Sequence, residues 1–176
     1  PTGTINILLY INADLKKEAM ASALVSCAEA KAAAMQELLI SSRYSCGIAT
    51  GTGTDGVIII ANAESNTHLT NAGKHSKLGE LIGRTVITSI KEALRLQQGI
   101  TTHSQHDIIR RMERFGVSED ALWDCYKETY RNLIRAEFTE ILDHIRTEDR
   151  LVTYSSLYAH LLDQLSWGLL SFAECR

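Results

Sequence analysis

Two short stretches of this chain gather the residue types that proton transfer and anion binding require. The first is Thr50-Gly51-Thr52-Gly53-Thr54-Asp55-Gly56. Its glycines let the backbone turn tightly and approach a ligand closely, with amide N–H groups free to point at an anion. Thr50, Thr52 and Thr54 add hydroxyls and Asp55 a carboxylate. The plainer alternative is a tight β-hairpin turn whose threonines and aspartate bond their own backbone. Gly51 to Gly56 also spells G-x-G-x-x-G, but it runs into Val57-Ile58-Ile59-Ile60, a strand. Without a following helix there is no helix N-terminus to hold a pyrophosphate, so the dinucleotide reading is rejected.

The second stretch is Ala72-Gly73-Lys74-His75-Ser76-Lys77-Leu78-Gly79-Glu80-Leu81-Ile82-Gly83. Lys74, His75 and Lys77 cluster where a helix should begin, although helix electrostatics favour acids there. A local preference violated in this way points to a site, and a histidine can accept or donate a proton near neutral pH. A solvated basic turn is the alternative. Gly79 and Gly83 are spaced to let another backbone pack closely.

Lys31 falls within the apolar face of a helical segment, where it must either snorkel to an edge or reach a charged partner. Glu29, on the opposite side, is expected to be solvated unless another layer covers that face. His68, His103, His106, His144 and His160 show no carboxylate-flanked ligand pattern. His103 and His106, three apart, give only a faint metal signal.

These residues need elements to position them. Thr4 to Asn12 is β-branched and apolar and predicts a strand buried on both faces. Asp14 sits as an N-cap for a helix over Leu15 to Leu39, with Met20, Ala23, Leu24, Cys27, Ala34, Met35 and Leu38 as its core stripe. Tyr44 to Ala49 and Val57 to Asn62 predict further strands, and Ala63 to Gly73 a polar loop. A helix follows from His75 to Gln98. Beyond it the chain predicts helices over Thr101 to Phe115, stopped by Gly116, and over Ser118 to Arg146. The latter's stripe is Leu122, Trp123, Tyr126, Tyr130, Leu133, Ile141 and Ile145. A last helix is expected from Ser155 to Phe172.

The expected fold is therefore α/β, a short mixed β-sheet covered by long helices with a helical C-terminal extension. The division falls at residues 1–99 and 100–176, within what could be one compact domain. Three strands are too few for a self-sufficient sheet whose first strand is apolar on both faces, which predicts more strands from elsewhere.

Length and composition bound the function. The 176 residues are 45% hydrophobic and 22% charged, with a net charge of -3, which excludes a disordered chain and argues against a general nucleic-acid binder. The one proline is residue 1, in keeping with a largely helical chain. No apolar run reaches the ~20 residues of a membrane span. Cys27, Cys46, Cys125 and Cys175 are scattered without a C-x-x-C pair, which predicts buried thiols in a reducing cytoplasm rather than a disulfide framework or a zinc site. Position 1 is not methionine, so a processed product, a subunit or an excised piece is expected.

Four strings occur in order: Gly3-Thr4-Ile5-Asn6-Ile7, Ala28-Glu29-Ala30-Lys31-Ala32-Ala33-Ala34, Ala49-Thr50-Gly51-Thr52-Gly53-Thr54-Asp55 and Gly73-Lys74-His75-Ser76-Lys77-Leu78-Gly79-Glu80. Together, over Gly3 to Leu94, they resemble the adenosylcobinamide amidohydrolase family of corrinoid salvage. The resemblance implies hydrolysis of the amide joining the aminopropanol arm to the corrinoid ring. It implies no cofactor of the protein's own, since the cobalt enters with the substrate. The family's usual upstream part does not precede Gly3 here, which predicts a second chain supplying it, with a homo-oligomer as the other expectation.

Amide hydrolysis needs an activated water or nucleophile, a stabilised oxyanion and a proton for the leaving amine. On this resemblance, the Thr50 to Asp55 amides hold the oxyanion, and His75 acts as base and then acid, oriented by Asp55 or Glu80. A Thr52 or Thr54 nucleophile is the competing mechanism. Thr4 is disfavoured in that role because residues precede it. Thr50, Gly51, Gly53, Lys31 and Lys74 are the expected substrate-binding residues. The contrasting reading is a corrinoid-binding or regulatory module without catalysis.

Overall fold

Asn6–Ile11 forms β1 and Gly56–Ala61 forms β3, paired in parallel with Leu8 opposite Ile58 and Tyr10 opposite Ile60. These belong to a computed structural model that describes residues 3–130 and 132–171. The period of two sends Leu9 and Ile11 into the core, with Ile7, Val57 and Ile59 packed beside them. The other face is open: Leu8 is 70% and Tyr10 61% exposed, with Ile58 and Ile60 next to them. The sequence predicts burial on both faces, and the structure covers only one.

Two helices provide that cover. α1 spans Lys17–Glu37 and α2 spans Lys77–Gln98, and they pack against each other. Ala19, Ala23, Cys27, Ala30 and Ala34 make the buried seam of α1, small enough for α2 to approach with Ile82, Val86, Ile90 and Leu94. Leu24, expected in the stripe, is instead exposed. Asp14 does not cap α1. Asp14–Leu15 is a short strand, β2, parallel to β4 (His68–Leu69) inside the expected loop, and Lys16 occupies the cap without a side-chain bond. Asp14 Oδ2 takes His68 Nδ1 at 2.8 Å instead.

Tyr44 to Ala49 forms no strand, and Tyr44 is 97% exposed. The chain divides into two compact units: one holds Ile48–Thr101 with the chain up to Ile40, the other Ser41–Gly47 with the chain from Thr102.

The second unit is helical. Thr101 to Phe115 is not one helix: only α3 (Ile108–Met112) and a 3-10 turn (Glu113–Phe115) form, ending at Gly116 in the left-handed region as the sequence predicts. Ser118 caps α4 (Glu119–Thr129), but the helix does not run on to Arg146. It breaks before α5 (Arg135–Ile145), where Glu137 bonds back to the Ile134 amide at 3.0 Å. Of the expected stripe Tyr130, Ile141 and Ile145 are exposed while Leu122, Trp123, Tyr126 and Leu133 are half-buried, and Trp123 and Tyr126 meet Phe138 of α5 in ring contact. The last helix, α6, spans Asp149–Ser166, starting before Ser155; Phe172 lies outside the described residues, as does Cys175. Arg114 donates to both carboxylate oxygens of Asp163 on α6 and to the Cys46 carbonyl.

No helix among the described residues is long and apolar enough to cross a membrane.

Candidate functional site

Asp55 closes the loop that leads into β3, and every acceptor position on its carboxylate is filled. Oδ1 accepts from the Ile5 amide at 2.9 Å and from Thr52 Oγ1 at 2.5 Å. Oδ2 accepts from the Thr52 amide at 2.8 Å and from Lys31 Nζ at 2.5 Å. A carboxylate offers about four such positions. Burial works to raise its pKa, but the bonds from Lys31, Thr52 and Ile5 outweigh it and hold Asp55 down at about 2. Lys31 has thus reached the charged partner its place on α1 demands, with 14% of its side chain exposed against 7% for Asp55.

The glycine at position 51 makes room for this pair: a Cβ there would stand 2.6 Å from Lys31 Nζ. Thr54 Oγ1 meets Thr4 Oγ1 at 2.6 Å, tying the loop to the start of β1. Thr50 and Gly53 are at the exposed rim, and a Cβ on Gly53 would meet nothing within 4 Å.

His75 stands elsewhere in the same unit. The turn before α2 is fixed by Ser76, whose Oγ donates to the Gly73 carbonyl at 2.8 Å and accepts from the Gly79 amide at 3.0 Å. Gly79 passes so close to the Gly73 carbonyl that no side chain fits there. Ser26 Oγ on α1 donates to the Ala72 carbonyl at 2.9 Å and docks the turn onto the helix. Lys74 Nζ reaches Glu29 Oε1 at 2.8 Å, so Glu29, exposed as expected, also has a partner in the turn. Between α1 and the turn lies a groove of about 440 Å³, lined by Ser22, Val25, Ser26, Glu29, Lys74 and His75.

The two clusters do not meet through the side chains the sequence pairs. At ~100° per residue, Lys31 lies 200° on from Glu29 around α1, so the helix stands between its Asp55 side and its His75 side. Neither expected carboxylate bonds His75: Asp55 is saturated, and Glu80 pairs with Lys77 and Arg84, its pKa lowered first by the Lys77 bond. Among the described residues His75 makes no hydrogen bond or ion pair. Gly83, expected to admit a backbone, has nothing within 4 Å of its Cβ position. Glu29, read from the sequence as a solvated acid, is one of the residues that line the groove. Its spacing of seven from Ser22 and three from Ser26 places it on their helix face and could have signalled the groove.

Among the described residues no group of three or more His, Cys, Asp or Glu could hold a metal ion; His106 Nε2 instead meets Asp149 at 3.0 Å.

The fold and site define an α/β unit in which a saturated carboxylate braces a glycine–threonine loop and a histidine faces an open groove. The chain belongs to the adenosylcobinamide amidohydrolase family, whose family model matches residues 1–102. An uncharacterized protein of Methanocaldococcus jannaschii is 43% identical over 99 residues, covering 56% of this chain and 38% of that protein. This chain therefore spans well under half of that relative's length. No solved structure matches.

Proposed function

We propose that this chain hydrolyses the amide joining the aminopropanol arm to the corrinoid ring, and that the chemistry takes place in the groove beside His75. The products are adenosylcobyric acid and 1-amino-2-propanol. Family membership supports the reaction class. The observation that carries the assignment of the site is the contrast between the unbonded His75 and the saturated Asp55.

A carboxylate held near 2 is a weak base at neutral pH, and Asp55 has no acceptor position left for a substrate proton. It therefore braces Lys31 and the loop rather than moving protons. The Thr52 hydroxyl points its proton at this weak base, so water rather than Thr52 is the nucleophile. His75 takes a proton from that water as its oxygen adds to the amide carbonyl carbon. It then gives the proton to the nitrogen as the C–N bond breaks.

The groove's 440 Å³ holds a substrate arm rather than a whole macrocycle. Leu24 and Val25, exposed on α1, offer an apolar rest for the ring outside it. Of the described thiols expected to be buried only Cys27 is, and Cys46 and Cys125 are exposed; all three are free, which suits a reducing cytoplasm, where we place the reaction.

Incubation with adenosylcobinamide, followed by mass spectrometry, tests the reading. Release of both adenosylcobyric acid and aminopropanol is expected. A spectral change of the corrinoid without either product would instead favour a binding module.

A further inference from the structure

Amide hydrolysis at neutral pH turns one neutral amide group into two charged groups, a carboxylate and an ammonium. The groove beside His75 carries one fixed charge of each sign. Lys74 Nζ and Glu29 Oε1 are 2.8 Å apart, with the two side chains 70% and 45% exposed. So exposed a pair contributes little to stability and opens at little cost. Ser26 already docks the turn to α1 through the Ala72 carbonyl, so the ion pair is not needed to hold the turn in place.

We propose that Glu29 and Lys74 are a product handle: Glu29 takes the ammonium of the leaving amine, and Lys74, released from Glu29, takes the new carboxylate. This rests on the amidohydrolase reading above. Charges balance at each stage. In the free groove the two residues neutralise each other, and after cleavage each neutralises one product group. Water supplies the oxygen gained by the acid and the hydrogen gained by the nitrogen. The amine then binds one further proton from solvent, and the acid releases one. Val25 and Ala21 line the same groove and offer the arm an apolar wall. The handle thus favours substrates whose amine half becomes a small cation.

The test uses the full chain and NMR titration with separate probes: 1-amino-2-propanol for the amine half, 1,2-propanediol as its neutral counterpart, and propionate for the acid half. The amine is expected to shift the resonances of Ser22, Ser26 and His75, and the diol to leave them in place. Glu29→Gln should weaken amine binding at least tenfold, with Glu29→Asp recovering part of it. Lys74→Met should bind the amine about threefold more tightly, because Glu29 loses its internal competitor, and should lose propionate. A merely structural pair would make both variants weaker for both probes, and that result would overturn the proposal. Equal amine binding by Glu29→Gln and the unmodified protein would overturn it too. If amine binding depends on Glu29 while no corrinoid amide is cleaved, the handle stands and the hydrolase reading falls.

Discussion

Lys31 Nζ lies 2.5 Å from Asp55 Oδ2, joining the middle of α1 to the loop that enters β3. Both side chains are nearly withdrawn from water, so each charge depends on the other. The pair, with the Thr52 and Ile5 amides on the same carboxylate, makes the loop part of the fold's frame.

Removing one partner should therefore cost far more than removing both. Asp55→Asn leaves the Lys31 ammonium buried without its counter-charge and is expected to destabilise the protein by about 3–5 kcal/mol. Adding Lys31→Met to that variant should restore much of the loss. Urea denaturation of the single and double variants measures the difference. A double variant less stable than Asp55→Asn alone would contradict the brace.

Acid should act on the same group. The folded protein holds Asp55 at about 2, below the ordinary carboxylate value of 3.8. A depressed folded pKa contributes stability that is complete above the unfolded value and is lost as pH falls through the folded one. The window is thus pH 4 down to 2. Denaturation midpoints should fall across it in the unmodified protein, and the Asp55→Asn curve should be flatter there.

Gly51 and Gly53 look interchangeable in sequence, yet their surroundings differ. Gly51→Ala sets a methyl group 2.6 Å from the Lys31 ammonium and should displace it, weakening the brace. Gly53→Ala meets nothing within 4 Å and should leave the thermal midpoint nearly unchanged. Equal melting temperatures for the two variants would contradict the geometry.

The glycines of α2 separate in the same way. Gly83→Ala fills open space inside a helix and should stabilise by roughly 0.5–1 kcal/mol through helix propensity. Gly79→Ala drives a methyl group into the Gly73 carbonyl and should push the His75 turn off α1, lowering both stability and turnover. Thermal melts and a turnover assay on the two variants check this.

Much of the first unit was legible in the sequence because local pattern and burial agree there. The apolar run at Asn6–Ile11, the long helix carrying Cys27 and Lys31, the glycine loop and the helix from Lys77 each announce themselves by period or by turn chemistry. The four strings carried the family as well, since all lie within residues 1–102. What escaped depended on contacts far apart in the chain. Asp14 has the chemistry of a cap, but His68, 54 residues away, claims its carboxylate. Glu29 has the chemistry of a solvated acid, and only the fold brings Lys74 to it. Pairing His75 with Asp55 followed from residue types alone, which say nothing of the helix standing between the two clusters. In the second unit the expected long helix is replaced by α4, ending at Thr129, and α5, starting at Arg135, with no proline or glycine in the sequence between them to announce it.

The most direct measurement is the turnover number of His75→Gln on adenosylcobinamide, taken beside its urea denaturation curve. His75 is exposed and unbonded among the described residues, so the variant should fold as the unmodified protein does. Its turnover should fall by about 10²-fold or more, the scale of a lost acid–base group. A His75→Gln protein that releases aminopropanol at the unmodified rate would contradict the account.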